Sequence, residues 1–206
     1  FYGDAAPQIL RMNTASAEMV KYASNAFLAS KISFINQIAN ICEKVAGVDI
    51  VRVEDAMGLD ERIGRKFLNA GAGFGGSCFR KDMNALIAFS NQLGYKPNLL
   101  KAVLNVNEKQ ALHIVELATQ QLGGFDKKRI AILGLSFKPD TDDVRDAPSL
   151  RIVERLLKEG ASVAVFDPVA TKNIRGIFGK RIDYASSAKN CLLRADCCII
   201  VTEWDN

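Results

Sequence analysis

Apolar positions in the first part of the chain recur at helical spacing. From about Ala15 to Val45 the apolar set Met19, Val20, Phe27, Leu28, Ile32, Ile35, Ile38 and Ile41 leaves little polar face, which predicts a long helix buried on most sides. Thr14 or Ser16 is placed to cap its start, and Gly47 lies just past its end, where the left-handed conformation costs least. A second helical stretch follows Asp49, a natural N-cap. A third runs from about Asp82 through Leu86, Ile87 and Phe89 to Leu93 and is broken by Gly94-Tyr95-Lys96-Pro97. A fourth spans Asn98 to Leu122, with Leu100, Val103, Leu104, Ile114, Val115, Leu117 and Leu122 apolar. Gly123-Gly124 then divides a helical domain, 1–124, from a second domain, 125–206.

In that second domain the pattern changes. RIAILGL is a short β-rich run, SLRIVERLLKEG an amphipathic helix closed by Gly160, and ASVAVFDP another strand, which together make a βαβ unit. Ile182 to Tyr184 reads as a short strand, Ser187 to Leu193 as a helix, and DCCIIVTEW as a final buried strand. The fold class is therefore α/β, an all-helical domain followed by a small Rossmann-like parallel sheet. The first strand ends in Gly134-Leu135-Ser136-Phe137-Lys138 without the G-x-G-x-x-G of a dinucleotide turn, so this half is not expected to hold the adenosine end of NAD.

Composition narrows the class of partner. With 49% hydrophobic and 24% charged residues over 206 positions, the chain is an ordinary globular one. A formal charge of +4 with scattered basic residues argues against a nucleic-acid groove, and no apolar run is long enough to suggest a membrane span. Cys42, Cys78, Cys191, Cys197 and Cys198 form no C-x-x-C pair and His113 is the single histidine, so a zinc ligand set is lacking. An odd cysteine count fits the reducing cytoplasm. The chain opens on Phe1-Tyr2-Gly3-Asp4 and closes on Trp204-Asp205-Asn206, which reads as a piece of a longer polypeptide.

The candidate chemistry is concentrated between Gly71 and Asp82, in GAGFGGSCFRKD. Closely spaced glycines let backbone N–H groups approach an anionic ligand. Cys78 follows the last glycine at the start of a helix with Arg80 and Lys81 beside it, a position that favours the thiolate and hence a nucleophile. A glycine turn carrying a small buried cysteine is the plainer reading of a Gly-Cys pair taken alone, and the neighbouring charges argue against it. Lys21 and Asn25 share one face of the first helix, where a lysine solvated at the helix edge reads as well as a functional one.

The GAGFGGSCFRKD stretch resembles the cysteine motif of the UDP-glucose dehydrogenase family, within the wider group of UDP- and GDP-sugar dehydrogenases. The resemblance extends through SAEMVKYASNAFLASKISFINQIANICEKV and GLSFKPDTDDVRDAPS. It implies an NAD-dependent enzyme that oxidises UDP-glucose to UDP-glucuronate in two hydride transfers through a Cys78 thiohemiacetal and thioester. It implies Lys21 and Asn25, in K-Y-x-x-N, as oxyanion partners and Asp82 in proton transfer. Arg62, sixteen residues before the cysteine, is implied as a substrate contact, with Asn69, Ala70, Gly71, Ala72, Gly73, Phe74 and Gly75 lining the sugar nucleotide. Phe137 and Lys138, in G-x-x-F-K, are implied to meet the UDP-sugar, and Lys81 and Arg145 the cofactor. The family builds a homodimer from long apolar helices such as Asn98 to Leu122.

Ala72 and Arg80 depart from the common motif, where proline, or proline and glutamine, are frequent. Phe74 and Phe79 favour UDP-glucose, while UDP-N-acetyl sugars or GDP-mannose remain alternatives. The family's N-terminal cofactor domain is not expected in this chain, so the chain alone is expected to be inactive. A non-catalytic module that binds sugar nucleotides and dimerises is the alternative of a different class, although such a module would not need Cys78. A cysteine hydrolase is disfavoured, because His113 lies in a helical pattern away from every motif.

Overall fold

The computed structural model describes residues 8–204. Four helices come first: α1 (Thr14–Cys42), α2 (Ile50–Gly58), α3 (Phe79–Gln92) and α4 (Asn98–Leu122). They are followed by β1 (Arg129–Leu133), α5 (Pro148–Lys158), β2 (Ser162–Phe166), α6 (Thr171–Phe178), β3 (Asp183–Tyr184), α7 (Ala188–Leu192) and β4 (Cys197–Ile200). The strands form one parallel sheet in the order β3-β2-β1-β4, with Ile130 opposite both Val163 and Cys197. The α/β class read from the sequence is the class observed. No helix among the described residues is long and apolar enough to cross a membrane.

Helix starts follow local chemistry. The α1 cap is Asn13, whose side chain accepts the Ser16 N–H at 2.8 Å, so neither Thr14 nor Ser16 caps it; both lie inside the first turn, one and three residues past the cap position. Asp49 caps α2 by accepting from Val51 N. The α6 helix has no counterpart in the sequence reading. It is short and carries Gly176, and its start is built by Asp167, which accepts from Val169 N at 2.9 Å and Ala170 N at 2.7 Å.

Burial departs from two expectations. α1 is not enclosed on most sides, since Val20, Phe27, Phe34 and Ile41 are exposed, at 52%, 67%, 49% and 54%. Their common seven-residue spacing puts them in one stripe, while Ala26, Ala29, Ser33, Ile35, Asn36 and Ala39 are buried. β4 is an edge strand with Cys198 and Ile200 exposed, so it is not the buried strand its apolar run suggested.

The main hydrophobic core crosses from one part of the chain to the other. Ala111, Val115 and Ala118 of α4 pack in the same cluster as Ile130 and Ile132 of β1 and Ile152, Val153 and Leu156 of α5. At about 25 cal/mol per Å² of buried apolar surface, this shared core is a main force holding the helices against the sheet. A second, smaller cluster joins α1, α3 and α4 around Ala29, Met83 and Val103, with Phe74 of the glycine loop in it.

Candidate active site

The glycine loop between α2 and α3 runs along the junction of the two parts, and its backbone is held by side-chain amides from the flanking helices. Asn36 Oδ1 of α1 accepts the Gly71 N–H at 2.7 Å, and Gln110 Nε2 of α4 donates to the Gly71 carbonyl at 3.1 Å. Asn107 grips Phe74 from both sides, accepting its N–H at 2.7 Å and donating to its carbonyl at 3.0 Å. Each amide is buried, so these bonds replace hydration the loop has lost. Gly73 has φ +101°, and a Cβ there would meet Asn107 Oδ1 at 2.6 Å, so the clamp requires glycine.

On the other side the loop meets the segment that follows β1. Gly76 N donates to the Arg145 carbonyl at 2.8 Å, and a Cβ on Gly75 would lie 2.6 Å from the Asp146 carbonyl oxygen. Arg80 donates to Asp146 Oδ1 at 3.2 Å and pairs with Glu108, while Arg151 reaches the same Asp146 oxygen at 2.5 Å. Arg80, which departs from the common motif, thus ties α3 to α4 and to the 137–147 segment.

Between these walls lies a cleft of about 490 Å³. Asn69, Ala70, Gly71, Ala72, Gly73, Phe74, Gly75, Phe137 and Lys138, the set implied by the family resemblance, all line it. Phe67, Phe79, Thr202 and Glu203 line it as well. Arg62 does not: its side chain is 88% exposed and folds back onto Asp60, with Nη2 to Oδ2 at 2.6 Å.

Cys78 is exposed and occupies the N-cap position of α3. One turn on, Asp82 is enclosed, with its side chain 1% exposed. Its Oδ2 receives Lys21 Nζ in an ion pair and Asn25 Nδ2 at 2.6 Å, so the α1 pair and the α3 carboxylate converge. Burial works to raise the Asp82 pKa, but the hydrogen bonds from Lys21 and Asn25 outweigh it and hold the carboxyl below its ordinary value. The Asp82 hydrogen bond pushes Lys21 up, and the Asp143 hydrogen bond does the same for Arg145. Lys21 keeps two ammonium hydrogens and Asn25 one amide hydrogen beyond those given to Asp82. Arg145 is bound to Asp143, with Nη2 to Oδ2 at 2.6 Å, and Lys81 is exposed on α3.

Gly71, Gly73 and Gly76 match the spacing of a dinucleotide fingerprint, but they join two helices, and among the described residues no strand precedes them. The turn that does end a first strand, after β1, is filled by the protein itself. Buried Asp167, at the end of β2, accepts from Leu135 N at 2.7 Å and Ser136 N at 3.2 Å, and from Trp204 Nε1 at 3.2 Å. Burial would raise its pKa, yet the amides of Ala170, Leu135, Val169 and Ser136 together hold it low. The amide groups that would face a pyrophosphate in a dinucleotide turn are therefore already taken.

A helical layer and a small parallel sheet thus meet at a glycine-lined cleft with a cysteine at one helix start. The chain belongs to the UDP-glucose/GDP-mannose dehydrogenase family: residues 15–109 match its central domain and residues 131–206 its UDP binding domain. It is 49% identical over 196 residues to the UDP-glucose 6-dehydrogenase TuaD of Bacillus subtilis, covering 95% of this chain and 42% of that protein. It is 49% identical over 199 residues to the UDP-glucose 6-dehydrogenase AglM of Haloferax volcanii, covering 97% and 46%. A solved UDP-glucose dehydrogenase from Pyrobaculum islandicum superposes with TM-score 0.94 at 43% identity, over 98% of this chain and 47% of that one. The chain thus spans less than half the length of the relatives it matches.

Proposed function

We propose that this chain is the substrate-binding, nucleophile-bearing part of an NAD-dependent UDP-glucose 6-dehydrogenase, which converts UDP-glucose to UDP-glucuronate. The observation that carries the reading is the convergence of Lys21 and Asn25 on Asp82, one helical turn from Cys78, at the start of the helix that follows the glycine-lined cleft. The similarity to UDP-glucose 6-dehydrogenases suggests the substrate.

NAD, when bound, supplies the hydride acceptor for both oxidations. Lys81 and Arg145, exposed cations near Cys78, are the residues of this chain suited to its charged groups. The filled turn after β1 argues that its adenosine end is held elsewhere in the enzyme.

After the first oxidation, Cys78 Sγ adds to the C6 aldehyde carbon. A carbon–sulfur bond forms and the carbonyl electron pair moves onto oxygen, giving a thiohemiacetal alkoxide. The free N–H groups of Lys21 and Asn25 stabilise that alkoxide in a site where their own geometry is already fixed by Asp82. The second oxidation leaves a thioester, which water opens. Asp82 receives the proton that water loses, the carbon–sulfur bond breaks, and Cys78 leaves as thiolate.

The exposed Val20, Phe27, Phe34 and Ile41 stripe supports a homodimer through α1. On α4, by contrast, Val103, Ala111, Val115 and Ala118 are buried inside the chain. Free thiols at all five cysteines accord with a cytoplasmic enzyme.

The test is acid formation by the intact gene product. Cys78→Ser is expected to stall UDP-glucuronate production, because an alkoxide is harder to form than a thiolate and its ester is a poorer acyl intermediate. A wild-type rate from that variant would remove the covalent step, and faster turnover of a UDP-N-acetyl sugar than of UDP-glucose would reassign the substrate.

A further inference from the structure

Arg65, on the approach to the glycine loop, is held from several directions by one planar side chain. Nε donates to Asp55 Oδ1 at 2.8 Å, Nη2 lies 3.3 Å from Glu54 Oε2, and Nη1 donates to the Leu68 carbonyl at 3.1 Å and to Asn69 Oδ1. Glu54 is buried, with its side chain 6% exposed, and sits midway along α2. Gly58 makes room for the arrangement, since a Cβ there would meet Arg65 Cα at 2.9 Å and Cδ at 2.6 Å. Glu54, Asp55 and Gly58 thereby place a guanidinium under the first residues of the cleft wall.

A guanidinium carries only donors. Asn69 must therefore turn its carbonyl oxygen to Arg65, which leaves its amide nitrogen as the group it can offer to the cleft it lines. Among the described residues that nitrogen has no hydrogen-bond partner. Lys138 lines the same cleft and is likewise donor-only.

We propose that Arg65 is a positioning residue that fixes the Asn69 amide as a hydrogen-bond donor to the cleft, selecting a ligand that presents an acceptor oxygen at that wall. The proposal rests on the sugar-nucleotide reading of the cleft for the identity of the ligand, and on this chain's own contacts for the orientation. The acceptor is an oxygen of the nucleotide diphosphate.

Asn69→Asp separates this role from a merely structural one. An aspartate keeps the size and pairs with Arg65 at least as well, so the fold is retained, but its remaining oxygen is an acceptor with negative charge. Titration of the chain with UDP by calorimetry is expected to show affinity falling about tenfold or more in Asn69→Asp, with an undiminished urea midpoint. Arg65→Met is expected to weaken UDP less and to release the Asn69 side-chain amide, seen as a loss of order in its 15N relaxation. Wild-type UDP affinity in Asn69→Asp would overturn the donor role. An equally ordered Asn69 amide in Arg65→Met would overturn the positioning role. Wild-type chain that ignores UDP while its Asn69 amide still loses order in Arg65→Met would uphold the positioning and overturn the sugar-nucleotide reading.

Discussion

Gly75→Ala tests the junction between the glycine loop and the 137–147 segment. The added methyl would lie 2.6 Å from the Asp146 carbonyl oxygen and 3.0 Å from both Ala147 Cα and Phe137 Cβ. A relaxed C···O contact needs about 3.3 Å, so the two backbones must part by roughly 0.7 Å. Two of the three obstacles are main-chain atoms, and no rotamer change removes them. Overpacking of this kind costs about 1–3 kcal/mol. Stretching the Gly76 N–H bond to the Arg145 carbonyl adds about 0.5–1.5 kcal/mol. The expected loss is therefore about 2–4 kcal/mol, which at a urea slope of about 2–3 kcal/mol/M lowers the midpoint by about 1 M. Gly71→Ala is the matched control four residues away, because a Cβ there meets nothing within 4 Å and its φ is outside the left-handed region. It should stay within about 0.5 kcal/mol of wild type. Amide exchange gives a local reading, with Gly76 N–H losing protection in Gly75→Ala alone. Equal midpoints for the two variants would refute the close approach.

Asn107→Ala strands the buried Phe74 N–H and carbonyl and should cost about 2–4 kcal/mol in urea unfolding. For Asp82→Asn the sign follows from a folded pKa held below the unfolded one: wild type should be the more stable above the ordinary aspartate value of about 3.9, and the advantage should vanish as pH falls through the folded value, as read from urea midpoints at several pH values. Phe27→Glu, placed in the exposed α1 stripe, should convert a sedimenting dimer to monomer while leaving the helical circular dichroism intact; an unchanged mass would remove the α1 interface.

Where punctuation was strong, the sequence was legible to the residue. Pro97 and Gly123-Gly124 bound α4 at Asn98 and Leu122, and Asp49 caps α2 as its side chain dictates. The residues from Asn69 to Gly75, with Phe137 and Lys138, were grouped by the family resemblance, and they line one cleft. What escaped was the support. Asn36, Asn107 and Gln110 are polar residues on otherwise apolar helix faces, a signal present in the sequence at positions where a solvated side chain is the usual reading. Asp167 looked like the end of a strand, and only tertiary structure brings the Leu135 and Ser136 amides to it. The α1 stripe escaped because periodicity counts apolar positions without saying what covers each of them.

The core that runs through the second half of α4 changes where this chain can be recombined with its relatives. Gly123-Gly124 looks like the natural seam for a chimera, being irregular and lying just past the end of α4. A graft made there would bring a foreign β1 and α5 against resident Ala111, Val115 and Ala118, whose small size is fitted to Ile152, Val153 and Leu156. The unit that travels intact therefore begins partway along α4, upstream of Ala111, and a donor helix half must accompany the donor sheet.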